Sequence, residues 1–182
     1  MFSKYTLNEK SNLGLIEVIC GSMFSGKTEE LIRRTNSAKL AKFKTIVFKP
    51  MIDSRNEGDF VTSHDNNKFE ATVVNDENEI LNKSKKYHVI GIDEAQFFSG
   101  SMVDVCNNLA NSGKIIIVAG LDMDFKRKAF GPMPNLTATA EFASKLHAIC
   151  AKTEVMANYR PRKSKDKKLI KIGDNNKYGT VR

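Results

Sequence analysis

Gly21-Ser22-Met23-Phe24-Ser25-Gly26-Lys27-Thr28 decides the reading of this chain, because it fits G-x-x-x-x-G-K-[ST] without a mismatch. The apolar run Leu15-Ile16-Glu17-Val18-Ile19-Cys20 leads into it, and a helical pattern opens at Lys27 with Leu31 and Ile32 on one face. That is the strand–loop–helix setting a phosphate-binding loop requires. In such a loop the glycines let backbone N–H groups turn onto phosphate oxygens, and the helix N-terminus adds its positive dipole end. Lys27 is placed to reach the β- and γ-phosphates, and the Thr28 hydroxyl to ligate Mg²⁺. Residues 21–28 are therefore candidate ATP contacts.

Downstream, strands and helices alternate. A helix runs from Glu29 to about Ala41, and Lys44–Lys49 is a short buried strand stopped by Pro50. Met51 to Glu70, rich in Asp, Asn, Ser and Gly, reads as a mobile loop or a loose hairpin. Ala71–Val74 is a possible strand, and Asp76 to about Lys86 a helix. Val89-Ile90-Gly91-Ile92-Asp93 and Ile115–Ala119 are apolar runs suited to central parallel strands, separated by a helix over Met102–Asn111 that Gly113 terminates. Leu121 to Pro134 is a loop with aromatics, after which a helix from Pro134 extends through Glu141. The pattern implies an α/β fold: a parallel, RecA-like sheet with helices on both faces. It divides into a polar tail (1–13), a nucleotide-binding domain (14–143) and a small β-like module (144–182). Cys20, Asp93 and Gly120 fall at carboxyl ends of strands, where the loops of such sheets form the site.

Asp93-Glu94-Ala95-Gln96 is the second signal. Asp93 matches the acid that holds Mg²⁺ from a neighbouring strand. Glu94 can take a proton from an attacking hydroxyl or water. Two classes compete: a small-molecule kinase, and a helicase-type, nucleic-acid-stimulated ATPase. Helicases normally need two such domains, for which 182 residues leave no room. Phe97 and Phe98 offer flat apolar faces suited to a base or sugar, or to plain core packing.

Composition narrows the setting. The net charge is +8, and ten basic against three acidic residues from Lys152 onward account for seven of those charges. No aromatics interleave the run 160–168 as a single-strand stacking platform would need, which favours a solvated basic surface over nucleic-acid binding. The polar start, Met1 to Asn12, and the lack of a membrane-length apolar run predict neither signal peptide nor transmembrane helix. Three scattered cysteines suit a reducing cytoplasm.

The residues quoted so far, with Phe48-Lys49-Pro50, Asp53, Arg55, Ser63-His64-Asp65, Ala119-Gly120-Leu121-Asp122, Phe125-Lys126, Phe130-Gly131, Ile172-Gly173 and Tyr178, resemble the cytosolic, RecA-like thymidine kinases along nearly the whole chain. The resemblance implies phosphoryl transfer from ATP·Mg²⁺ to the 5′-hydroxyl of thymidine or deoxyuridine, in nucleotide salvage for DNA synthesis. Glu94 would be the general base, Asp93 and Thr28 the metal side, and Lys27 the charge-neutraliser, with Asp93, Glu94, Ala95 and Gln96 among the ATP contacts. Met23, Leu121, Phe125 and Tyr178 would enclose the thymine, with Phe97 nearby, under a C-terminal lid whose backbone reads the base. Arg162 occupies a place where the family tends to carry an arginine. The resemblance also implies a homotetramer and dTTP as feedback inhibitor. The family usually ties its lid with zinc through two Cys-x-x-Cys-like pairs, whereas here the first reads Cys150-Ala-Lys-Thr153 and the second should begin about where Arg182 ends the sequence, so that either the metal is dispensed with or the sequence is a shortened version. One cysteine cannot make a tetrahedral zinc site, so no zinc is expected. Asp53 and Arg55 could contact the triphosphate, and His64 is a loop-stabilising or solvated residue.

Overall fold

The computed structural model describes residues 14–52, 60–62, 68–149 and 156–157. Strand β1 (Leu15–Gly21) feeds the phosphate loop and helix α1 (Lys27–Leu40), followed by β2 (Thr45–Pro50), β3 (Phe60–Thr62), β4 (Lys68–Glu70) and β5 (Thr72–Val74). Then come α2 (Glu77–Lys83), β6 (Val89–Ile92), α3 (Met102–Asn111), β7 (Ile115–Gly120), α4 (Met133–Thr139) and β8 (Phe142–Leu146), with a short pair β9 (Ala148–Ile149) and β10 (Met156–Ala157). The main sheet has the order β5-β2-β6-β7-β1-β8, and its pairings are parallel. β6 and β7 are buried along their whole length, as strands covered on both faces must be.

The two faces carry separate cores. Ile16, Val18, Phe48, Ile90 and Ile116 meet Met102, Leu109, Met133 and Leu136 of α3 and α4. On the other face Ile19, Val47, Ile117 and Ala119 meet Leu31, Ile32 and Ala38 of α1. Register aligns the carboxyl ends: Cys20 lies beside Gly120, and Ile92 beside Val118. The loops after β1, β6 and β7 therefore open at one edge, as the strand-end residues predict.

Four expectations need correction. The acid-bearing strand β6 is not β1's neighbour, because β7 lies between them. Its reach to the phosphate loop comes from α1, which settles over β6 at Gly91: a Cβ there would stand 3.1 Å from Thr35 Cγ2 and 3.4 Å from Leu31 Cδ1. Second, the expected boundary at 143/144 falls inside β8, which joins the main sheet by pairing with β1 from Glu17↔Phe142 to Gly21↔Leu146. Third, α4 ends at Thr139 and not Glu141: Ala140 is already extended, and the Glu141 carboxylate accepts the Ile16 N–H at 2.6 Å. Likewise α2 stops at Lys83, where the Ser84 hydroxyl turns back to Ile80 O. In the segment 51–70, β3 and β4 form an antiparallel pair, the hairpin alternative.

A charged pair inside the sheet was not legible as such. Glu17 on β1 is buried against Arg34 of α1, whose Nη1 donates to Glu17 Oε2 at 2.7 Å, Nε to Glu30 Oε1 at 2.8 Å, and Nη2 to Ser144 Oγ at 3.0 Å. One guanidinium thus joins α1, β1 and β8.

Candidate active site

The phosphate loop is shaped by three residues of left-handed sign: Gly21 at φ +146°, Phe24 at +62° and Gly26 at +81°. Changes of backbone hand curl successive N–H groups into a concavity for anions. At Gly21 a Cβ would lie 2.2 Å from Leu146 O, so no other residue fits. Ser25 Oγ is buried with no hydrogen-bond partner among the described residues. An orphaned hydroxyl in the cradle is what an arriving phosphate oxygen would satisfy. Lys27 Nζ donates to Ser22 O at 2.7 Å, bringing the ammonium across the loop.

Thr28 Oγ1 donates to Asp93 Oδ2 at 3.2 Å, bridging the first turn of α1 to the end of β6. Mg²⁺ in such sites takes one or two protein oxygens and fills its shell with phosphates and water, so this hydroxyl–carboxylate pair fits the ion.

Glu94 follows in a left-handed conformation, φ +51° and ψ +40°, and opens a 3₁₀ turn over Ala95–Phe97. Its N–H donates to Asp93 Oδ1 at 3.0 Å, and its carbonyl accepts from Phe97 N at 3.1 Å. Gln96 Nε2 donates to Glu94 Oε2, while Gln96 Oε1 accepts the Leu121 N–H at 2.9 Å. Of the four candidates after β6, Asp93 and Glu94 thus present carboxylates at the sheet edge. Ala95 and Gln96 are buried in the turn behind them.

The expected nucleoside residues within reach of description gather at the same edge. Met23 in the phosphate loop, Phe97, Leu121 and Phe125 are each half-buried. Phe97 meets Phe130 edge-on at 5.9 Å. Asp124, absent from the sequence reading, organises the segment: its Oδ1 accepts the N–H groups of Lys126 (2.7 Å) and Lys128 (2.9 Å). An Asp ahead of a polar run is the turn signal that pointed to it. Asp122 pairs with Lys145 of β8 at 2.7 Å, and that bond raises the lysine's pKa. Burial, with Asp122 as a second cause, raises the Cys20 thiol at the base of the loop. Asp53, Arg55, His64, Cys150, Arg162 and Tyr178 lie outside the described residues.

A parallel sheet with this loop after β1, and an acid pair one strand removed after β6, defines a P-loop nucleotide-binding α/β protein. The particular family follows from comparison: a family model described as thymidine kinase matches residues 14–182, and the chain belongs to that family. It is 50% identical over 179 residues to a thymidine kinase of Bacteroides fragilis strain YCH46, covering 98% of this chain and 89% of that one. It is 46% identical over 172 residues to a thymidine kinase of Rhodothermus sp. strain ITI 518, covering 94% and 81%. Among solved structures, domain III of the Thermotoga maritima replication initiation protein DnaA aligns at TM-score 0.47 and 19% identity, over 76% of this chain and 57% of that one.

Proposed function

We infer that the protein transfers the γ-phosphoryl group of ATP to the 5′-hydroxyl of thymidine. The observation that carries this reading is the convergence, on one sheet edge, of the phosphate loop, the Thr28–Asp93 pair and Glu94. Backbone N–H groups of 21–28 and the Lys27 ammonium would hold the triphosphate. Mg²⁺, held by Thr28 and Asp93, would offset charge on the β- and γ-phosphate oxygens. Glu94 takes the 5′-hydroxyl proton as that oxygen bonds to the γ-phosphorus, and the bond from phosphorus to the β,γ-bridging oxygen breaks to release ADP. Met23, Phe97, Leu121 and Phe125 supply an apolar wall for the base, with Tyr178 and Arg162 completing the set.

A thymine nucleotide carrying its own triphosphate would satisfy both the base wall and the phosphate loop, which supports dTTP as feedback inhibitor. A homotetramer and a cytoplasmic setting follow from family likeness. Among the described residues no helix is long and apolar enough to cross a membrane.

The test is to measure ADP release with ATP and thymidine, and separately with ATP and DNA. Thymidine-dependent release with formation of dTMP is expected. Stimulation by DNA alone would replace the reading with a nucleic-acid-stimulated ATPase.

A further inference from the structure

Phosphoryl transfer as derived above has no step for Gln96, yet the fold seals this side chain in. It is 2% exposed, between the residue that takes the proton and the loop that follows β7. Its carboxamide spans two groups, Leu121 N–H on one side and the Glu94 carboxylate on the other. The direction of the amide is forced. A backbone N–H can only donate, so the oxygen must face Leu121, and the NH₂ must then face Glu94. Gly120 makes the seat for this amide: a Cβ there would stand 2.9 Å from Gln96 Oε1.

We propose that Gln96 is a positioning residue that locks the Glu94 carboxylate to the Leu121 wall, so that the proton acceptor and the nucleoside-binding surface move as one unit. This rests on the reading of Glu94 as base and Leu121 as part of the nucleoside wall. One carboxylate oxygen is fixed by the amide, and with it the plane in which the other points. Leu121 is held by the same amide, so the distance from the base of the nucleoside to Glu94 is set by one rigid side chain rather than by two independent loops. The triphosphate, cradled by the loop after β1, is not part of this linkage. Gln96 therefore governs how the acceptor alcohol meets its base and not how ATP is held.

The test is a cycle of Gln96→Met, Glu94→Gln and the double variant, assayed by steady-state kinetics, with Gln96→Glu as an independent arm. Met preserves length but offers neither bond. We expect it to lower kcat by about tenfold or more and to raise the KM for thymidine, with the KM for ATP within about twofold of the parent. In the Glu94→Gln background the same substitution should change kcat by less than about threefold, because its effect runs through Glu94. Gln96→Glu keeps an oxygen for Leu121 but gives Glu94 no amide donor. It should lose kcat while leaving the KM for thymidine near that of the parent, and it serves if the Met variant does not fold. Parental kcat in either Gln96 variant, an equal loss in both backgrounds, or a rise in the KM for ATP matching that for thymidine would overturn the proposal. A Glu94→Gln enzyme with parental turnover would instead overturn the assignment of the base. A dead Glu94→Gln enzyme beside an unimpaired Gln96→Met enzyme would remove the lock alone.

Discussion

Glu94 sits where few non-glycine residues do, and a left-handed residue of this kind costs on the order of 1 kcal/mol. Asp93 Oδ1, Phe97 N and Gln96 Nε2 each hold one of its polar groups in that turn. The consequence is a carboxylate that points where the turn sends it. Replacing Glu94 by Gln keeps the shape and the backbone bonds but removes the proton acceptor. Turnover should fall by about 10²- to 10⁴-fold, while the ATP dissociation constant measured by titration stays within about twofold. At this scale much of the candidate site was legible as pattern. Gly21, Gly26, Lys27, Thr28, Asp93 and Glu94 belong to local patterns whose chemistry needs those types at that spacing. Gln96 was not legible in its role, since it captures the N–H of Leu121, which only folding brings near, whereas Asp124 caps its own turn and a closer reading of the residues after it would have found it.

Among the elements, α1 is the one whose seating decides the geometry. It crosses β7 to bring Thr28 to Asp93, and it can descend because Gly91 leaves β6 flat beneath it. A Cβ at 91 would come within 2.9 Å of Val47 Cγ2 and 3.1 Å of Thr35 Cγ2, both in a packed interior. Gly91→Ala should destabilise by about 1–3 kcal/mol in a denaturant titration. It should also lower kcat, because lifting α1 separates the hydroxyl from the carboxylate. The same helix carries an acid-sensitive contact. The hydrogen bond from Arg33, with Arg34 assisting, holds the Glu30 carboxyl down from its ordinary 4.5 to about 2. A depressed carboxyl contributes stability that is complete above its unfolded value and lost as pH falls through the folded one. Between pH 4.5 and 2 the Tm of the parent should therefore fall more steeply than that of Glu30→Gln. Parallel curves would show that Glu30 contributes nothing to acid stability. Helices and strands were readable from periodicity, and α3 has the bounds its apolar spacing gave, Met102–Asn111. The end of α4 was not, since the Glu141 carboxylate leaves the helical pattern to accept the N–H of Ile16, a residue 125 positions earlier.

Across the whole molecule the buried Arg34 is the joint. It holds β1, α1 and β8 through one guanidinium, with Arg34 and Glu17 both nearly excluded from solvent. Removing one partner of such a pair strands a charge and costs about 3–5 kcal/mol. Arg34→Ala should therefore lower Tm by roughly 10 °C in a chain of this size. Pairing Arg34→Met with Glu17→Met should recover most of that loss, and failure of the double variant to recover would argue that Ser144 and Glu30 carry the joint. The α/β class followed from alternating apolar runs, but the order of strands did not. Nothing in the residues of β6 says that β7 slides between it and β1, because strand neighbours are chosen by crossovers that no local pattern records.

The sheet order has a further consequence for how the protein is born. Among the described strands β1 is made first, yet both its partners lie far downstream, Ile115 facing Leu15 and Phe142 facing Glu17. Until those partners are made the nascent chain carries an oily ribbon without its sheet neighbours, and loop closure over such spans is slow. The phosphate loop that β1 supports can take its final shape only once the chain has been made through Leu146, which pairs with Gly21.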